Sequence, residues 1–157
     1  ISFKIFNGKY GRFYKMTKYI TELFDEFEKL KSRKEKLAFL IANKENGTMR
    51  SVLQGTFDPN IQWKIGVPEY TPDEAPIGLN PSSLFQEMPK CTIFAEGHPK
   101  SVNVTPKRMK EILIQTLSSM NKGESSLFEQ MLRKKTKVKG LTEKLVLEVF
   151  PDLYREV

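Results

Sequence analysis

The chain has 157 residues, of which 39% are hydrophobic and 29% charged, with a formal net charge of +7. These values are typical of one globular domain rather than a disordered chain. The longest apolar stretch, residues 37–42, is far shorter than the roughly 20 residues that span a bilayer, which excludes a membrane-spanning helix. With one cysteine and one histidine, an internal disulfide and a zinc site of cysteines and histidines are also excluded. A thiol-poor basic domain fits a reducing cytosol, so we expect a cytoplasmic protein.

Residues 1–15 differ from the rest of the chain. They read ISFKIFNGKYGRFYK, with four basic residues and no acid, and they lack the apolar core of a signal peptide. Because the first methionine is Met16, two interpretations are open: sequence from upstream of the native start, or a genuine N-terminal arm. We treat residues 16–157, with 22 basic and 19 acidic residues, as a single helical domain.

Three amphipathic helices are predicted before residue 58. The first follows Thr17 as a cap and has apolar positions at helical spacing, namely Ile20, Leu23, Phe24, Phe27 and Leu30. Ser32 begins the second helix, because Glu35 three residues later completes a capping box. A third, short helix ends at residues 58–59, where proline follows aspartate.

Residues 58–99 are predicted to be a long irregular connection. They contain seven of the nine prolines, which excludes long regular elements, and six acids against two lysines. We expect one or two helical turns at 82–88 and a short strand at 91–95. A loop of this length is either functional or packed as an irregular layer over the helices.

Helices return at Thr105, which precedes a proline at the first helical position. Residues 121–123 are predicted to close this helix, and another runs from about 124 to 135. Thr142 caps a last helix that leads to Pro151. The predicted fold is therefore mainly α, a single compact domain of about six helices with a Pro-rich irregular connection.

No catalytic, metal or cofactor site is predicted. Cys91 and His98 are the only candidates for a thiol–imidazole couple, and we interpret them as a half-buried thiol and a loop imidazole. The glycine-rich phosphate-binding motifs GxxxxGK[ST] and GxGxxG do not occur in the chain.

The strongest local signal is a basic stretch near the C-terminus. Five of the seven residues 133–139 are basic and none is acidic: Arg133, Lys134, Lys135, Lys137 and Lys139, with Lys144 just beyond. The stretch follows a predicted helix, and after Gly140 the next helix begins at Thr142 with backbone N–H groups that favour an anion. We interpret this combination as a phosphate clamp. Its lack of aromatic residues favours duplex backbone contact over base stacking.

Residues 131–153, MLRKKTKVKGLTEKLVLEVFPDL, resemble the end of the N-terminal DNA-binding domain of ATP-dependent DNA ligases, including the bacteriophage enzymes. The matching positions are Gly140, Leu141, Thr142, Glu143, Lys144, Val149, Phe150, Pro151 and Leu153. The similarity extends over about residues 17–153 and is strongest at the C-terminal end. Residues 136–139 depart from the family's usual Asp-Leu-Arg-Ile, and the chain has no KxDG motif for lysine adenylylation. The resemblance implies a helical domain that grips duplex DNA across the minor groove through its phosphates, without ligation.

We therefore predict a non-catalytic, sequence-independent duplex DNA-binding module from a phage-like genome. The predicted contacts are Arg133, Lys134, Lys135, Lys137, Lys139 and Lys144, the backbone amides of Gly140–Thr142, and further Lys34, Lys36, Lys107 and Arg108. One alternative is a protein interaction module that contacts a replication or transcription partner, or a virion component, through the acidic residues 58–99. Another is an enzyme of unrecognised type or a fragment of a split ligase.

Overall fold

The computed structural model describes residues 18–155. Our predictions for residues 1–15 and Thr17 lie outside this range. The helices within it are α1 (Ile20–Lys29), α2 (Arg33–Ala42), α3 (Gly47–Phe57), α4 (Leu84–Glu87), two 3₁₀ helices (Met88–Phe94 and Pro99–Ser101), α5 (Pro106–Ser118), α6 (Lys122–Leu132) and α7 (Glu143–Val149). The described chain has no named β-strand, which confirms the mainly α class.

Local capping chemistry sets most helix starts. The Ser32 hydroxyl accepts the Glu35 N–H at 3.1 Å, and Thr105 and Thr142 cap α5 and α7 in the same way, as predicted. Asn121 was expected to close α5, and that is wrong. Its side-chain oxygen accepts the Gly123 N–H at 2.9 Å, so Asn121 begins α6 instead.

Helix α6 ends at Leu132, three residues earlier than predicted. Arg133 is its C-cap, and Lys134 has a φ of 58°, in the left-handed region that non-glycine residues rarely adopt. The chain therefore leaves the helix axis at the start of the basic stretch rather than after it.

Helices α1, α3 and α6 begin at one end of the molecule and finish at the other. Where they begin, Ile20, Asn46 and Glu124 line one cavity of about 510 Å³. Where they finish, Gly55 of α3 lies so close to Met131 of α6 that a Cβ would stand 2.5 Å from its sulfur. We call these the N-terminal and C-terminal ends of the bundle. The core between them includes the fully buried side chains Phe27, Leu40, Met49, Leu53, Leu113, Leu117, Phe128, Met131 and Phe150.

The Pro-rich segment 58–99 packs over the helices as an irregular layer. Residues 88–94 form a 3₁₀ helix, so the predicted strand at 91–95 is wrong: Pro89 lies in its first turn, where its fixed φ favours a helix. Extended pairing of the segment consists of two isolated bridges, an antiparallel one between Trp63 and Ala95 and a parallel one between Asp73 and Asn121. Tyr70 anchors the segment by donating its hydroxyl to Glu129 of α6 at 2.8 Å.

No helix within residues 18–155 has both the length and the apolar character needed to cross a membrane.

Candidate nucleic-acid interface

The basic loop, residues 133–142, joins α6 to α7 and has a fixed backbone. The Lys137 N–H donates to the side-chain oxygen of Gln130 at 2.8 Å, and the Lys139 N–H donates to Glu28 of α1 at 2.9 Å. Val138 is buried, with its side chain in the core. Helix α6, helix α1 and the core therefore all fix the path of this loop.

Lys134 was predicted to contact phosphate, but the structure directs its ammonium group inward. Nζ donates to the backbone oxygens of Gly55, Asp58 and Ile61 at 3.1, 2.6 and 2.9 Å. These carbonyls lie at and just beyond the end of α3, where helix oxygens lack partners. Burial lowers the pKa of this ammonium group, opposed by the charge of Asp58. Lys134 is a structural residue, because its donors are already used.

Arg133 is exposed but paired. Its Nε donates to Glu129 at 3.0 Å, one turn back on α6. Glu129 also receives the Tyr70 hydroxyl, and the two hydrogen bonds outweigh its partial burial, so its pKa is lowered. Arg133 therefore brings little uncompensated charge to the basic loop.

Four predicted lysines keep their ammonium groups in solvent: Lys135, Lys137, Lys139 and Lys144. Exposure alternates along the loop, since Thr136 is half-buried and Val138 buried between the exposed lysines. No salt bridge within residues 18–155 involves these four side chains. They are the part of the predicted site that is available to an anion.

Gly140 and Lys36 meet, although 104 positions separate them in the sequence. Gly140 has a φ of 83°, and a Cβ there would stand 2.5 Å from Cε of Lys36. The Lys36 ammonium donates to the oxygens of Phe27 and Leu30 at 3.1 and 2.8 Å, which caps the end of α1. It also lies 4.8 Å from the centre of the Phe27 ring. Lys36 is thus a second inward lysine rather than the phosphate contact we predicted.

The backbone amides predicted to hold an anion at Gly140–Thr142 are only partly available. The Leu141 N–H donates to the oxygen of Val138 at 3.2 Å. The hydroxyl of Thr142 accepts from Leu145, and Glu143 places a carboxylate in the first turn of α7. Of the three predicted amides, the Leu141 N–H is therefore already used within the loop, and the anion clamp stays a prediction for the other two.

The remaining predicted contacts fall into two places. Lys34 is exposed near the start of α2, which packs against α7. Lys107 and Arg108 are exposed at the start of α5, where Arg108 lies 3.4 Å from Glu111. Lys34 is near the basic loop because Lys36, two residues further along α2, contacts Gly140.

Acidic groups border the basic loop on one side. Asp25 and Glu28 of α1 line a narrow cleft together with Lys137. Glu28 already accepts a backbone N–H from the basic loop, so part of its charge is used locally. Lys137 is therefore an exposed lysine of the basic loop whose positive charge nearby carboxylates partly offset.

A protein-family model matches residues 23–138, more than half of the chain. The chain belongs to DUF6433, a family of unknown function. The match begins in α1 and ends within the basic loop, before Gly140. No curated protein matches this DUF6433 chain.

The cysteine and the histidine of this DUF6433 protein have local roles. Nδ1 of His98 accepts the Lys100 N–H at 3.0 Å and caps the second 3₁₀ helix. Cys91 is half-buried, and burial raises the pKa of its thiol to about 11, so it is protonated at neutral pH. No group of three or more potential metal-ligating side chains occurs in the described range.

Two lysines next to the basic loop were not among the predicted contacts. Lys29 and Lys31 are exposed where α1 ends, beside the Glu28 that binds the Lys139 N–H. The sequence does not indicate that Lys29 and Lys31 lie next to the basic loop, because the Glu28–Lys139 contact joins residues 111 positions apart.

Proposed function

We propose that this DUF6433 protein is a non-catalytic module that binds duplex DNA through its phosphates, without sequence preference. The observation that carries the proposal is a set of four exposed ammonium groups: Lys135, Lys137 and Lys139 on a loop whose backbone is already fixed, and Lys144 in the first turn of α7. Phosphate contacts made by lysines carry no base information, so they position a protein on a duplex without selecting a sequence.

The inward lysines strengthen this proposal rather than weaken it. Lys134 and Lys36 satisfy the carbonyls at the ends of α3 and α1, so the exposed lysines are not needed for that purpose. Because the backbone of the basic loop is held by Gln130 and Glu28, little ordering entropy is lost when phosphates bind. The resemblance to ligase DNA-binding domains at residues 131–153 points to the same class of ligand.

The test is a fluorescence-anisotropy titration of two unrelated duplexes at several salt concentrations. We expect dissociation constants of roughly 10⁻⁴–10⁻⁶ M near physiological salt, equal for both sequences, with affinity falling steeply as salt increases. The triple variant Lys135→Gln, Lys137→Gln, Lys139→Gln should bind more weakly, and its slope of log K against log salt concentration should fall by about 2.7. Absence of binding at low salt, or binding that does not change with salt, would contradict the proposal.

A second candidate function is protein binding through the Pro-rich segment. Leu79 and Phe85 are 74% and 75% exposed, so the segment presents two large apolar side chains to solvent. Phe85 borders the 510 Å³ cavity at the N-terminal end of the bundle. Capture of a partner from a nuclease-treated lysate should be lost in Phe85→Asp and retained in the matched control Val102→Asp, since Val102 is also exposed.

A further inference from the structure

A second group of exposed lysines lies against the basic loop. Lys29 is the last residue of α1, Lys31 follows in the turn, and Lys34 lies in the first turn of α2. All three are exposed, and no salt bridge within residues 18–155 involves them. We call residues 29–34 the α1–α2 turn.

Three contacts hold this turn to the basic loop and α7. Glu28, directly before the turn, accepts the Lys139 N–H at 2.9 Å. Lys36, two residues after it, covers Gly140. Within the turn, Arg33 forms a salt bridge with Glu148 of α7. The turn and the basic loop are therefore two parts of one surface.

Charge is concentrated on this surface. Residues 28–36 and 133–144 together contain eleven basic and three acidic residues, a balance of +8 against +7 for the whole chain. Two of the three acids are engaged by backbone amides: Glu28 by Lys139, and Glu35 by Ser32 and Lys31, which lowers the pKa of Glu35. Outside these two segments the net charge is −1, which consists of +4 in residues 1–15 and −5 in the rest of the chain.

We propose that the α1–α2 turn is a second phosphate-contacting element, in which Lys29, Lys31 and Lys34 bind the same duplex as the basic loop. This inference rests on the proposed function, which it extends to Lys29 and Lys31. A lysine ammonium binds phosphate as a point charge and needs no further geometry than proximity and exposure. Each added contact contributes about 0.9 to the slope of log K against log salt concentration.

Three double variants that each remove two positive charges test the inference. The turn variant is Lys29→Gln with Lys31→Gln, and the loop variant is Lys137→Gln with Lys139→Gln. The control is Lys44→Gln with Lys122→Gln, two exposed lysines next to the starts of α3 and α6, at the N-terminal end of the bundle. Anisotropy titrations of one duplex between 50 and 200 mM salt give the slopes. We expect the slopes of the turn and loop variants each to fall by about 1.8 and that of the control to stay at the wild-type value.

The outcomes separate the inference from the proposed function. If the loop variant loses slope and the turn variant behaves like the control, the inference fails and the proposed function stands. If all three variants lose slope equally, binding follows total charge and the inference fails. If the wild type does not bind at 50 mM salt, the proposed function itself fails. The single variants Lys29→Gln and Lys31→Gln, each expected to lower the slope by about 0.9, replace the turn variant if its urea midpoint shifts.

Discussion

At the N-terminal end of the bundle, a buried carboxylate accepts hydrogen bonds from N–H groups at the starts of helices. At the C-terminal end, lysine ammonium groups donate hydrogen bonds to carbonyls where helices end. Glu124, only 1% exposed, accepts the Thr21 N–H of α1 at 3.0 Å and the Leu84 N–H of α4 at 2.9 Å. Lys134 and Lys36 donate to carbonyls where α3 and α1 finish. Each charge has the sign that offsets the partial charge of the helix ends it meets.

The comparison shows how a cluster of like charges can hold two roles. At the N-terminal end one buried acid serves two helices, and the exposed acids are spread over α1 and the Pro-rich segment. At the C-terminal end the inward lysines donate to helix carbonyls, and the outward lysines stay exposed, where they are available for the proposed binding of duplex DNA. Counting charges along the sequence cannot separate the two groups, because they alternate within one loop.

Replacing Glu124 should have the largest effect on stability. In Glu124→Ala, two N–H groups lose their acceptor in a buried site, and we expect the free energy of unfolding to fall by about 2–5 kcal/mol. Glu124→Gln keeps one acceptor oxygen and should lose less. Urea denaturation measures both, with Asp25→Ala, which removes an exposed acid of α1, as the control. A loss below about 0.5 kcal/mol for Glu124→Ala would show that Glu124 does not stabilise the helix starts at the N-terminal end.

Replacing Lys134 should have the next largest effect. Lys134→Met keeps the aliphatic stem but removes three hydrogen bonds, and the carbonyls of Gly55 and Asp58 keep only their second donors, the Trp63 indole and the Ile61 N–H. We expect a loss of about 1–3 kcal/mol in the free energy of unfolding. The neighbouring Lys135→Met is the matched control and should stay within about 0.5 kcal/mol of the wild type. Equal urea midpoints for the two variants would show that Lys134 is not structural. DNA binding should reverse this order, with Lys135→Met losing more.

Gly140→Ala tests the contact between the basic loop and α2. A Cβ at a φ of 83° is strained and would displace the Lys36 side chain, so we expect a loss of about 1–2 kcal/mol. The control is Gly47→Ala in α3, where a Cβ meets nothing within 4 Å and the positive φ is absent. Thermal unfolding should show a decrease for the first variant and none for the second. An unchanged midpoint for Gly140→Ala would mean that Lys36 moves aside without cost.

The two ends should respond to pH in opposite directions, and this effect is the smallest. Burial raises the pKa of Glu124 above its ordinary 4.5, with a contribution from Glu22, so the folded state holds this proton more tightly. Its contribution to stability is complete below pH 4.5 and is lost as the pH rises through the raised pKa. Burial lowers the pKa of Lys134, so its contribution grows as the pH rises toward 10.5. The urea midpoint is measured as a function of pH. Its decrease above pH 4.5 should be absent in Glu124→Gln, and its increase toward pH 10.5 should be absent in Lys134→Met. Loss of the alkaline change in Glu124→Gln, or of the acidic change in Lys134→Met, would contradict the comparison.

Helix starts could be predicted because their chemistry is local. The pair Ser32 and Glu35, or Thr105 before proline, lies within one turn, so the sequence contains all the atoms involved. Asn121 was misassigned because asparagine is suited to both helix starts and helix ends. The strand expected at 91–95 failed because Pro89 and the burial of Phe94 against Phe128 favour a 3₁₀ helix.

The candidate site could be predicted only in outline. The basic composition of residues 133–144 located it, but the direction of Lys134 depends on carbonyls of residues 55–61, more than 70 positions away. The structural role of Lys36 likewise depends on its contact with Gly140. Lys29 and Lys31 can be placed next to the basic loop only once the Glu28–Lys139 contact is known. Tertiary packing decides which lysines are inward, and this information is absent from any local pattern.

The carbonyl of Gly55 has a further consequence for how this protein can be studied. It accepts both the Lys134 ammonium and the indole N–H of Trp63, each at 3.1 Å. Trp63 is the chain's single tryptophan, so all the indole fluorescence comes from a side chain that shares a hydrogen-bond acceptor with Lys134 of the basic loop. The molecule therefore contains its own optical reporter, and titrating an unlabelled anion while following that emission would register any movement of Lys134.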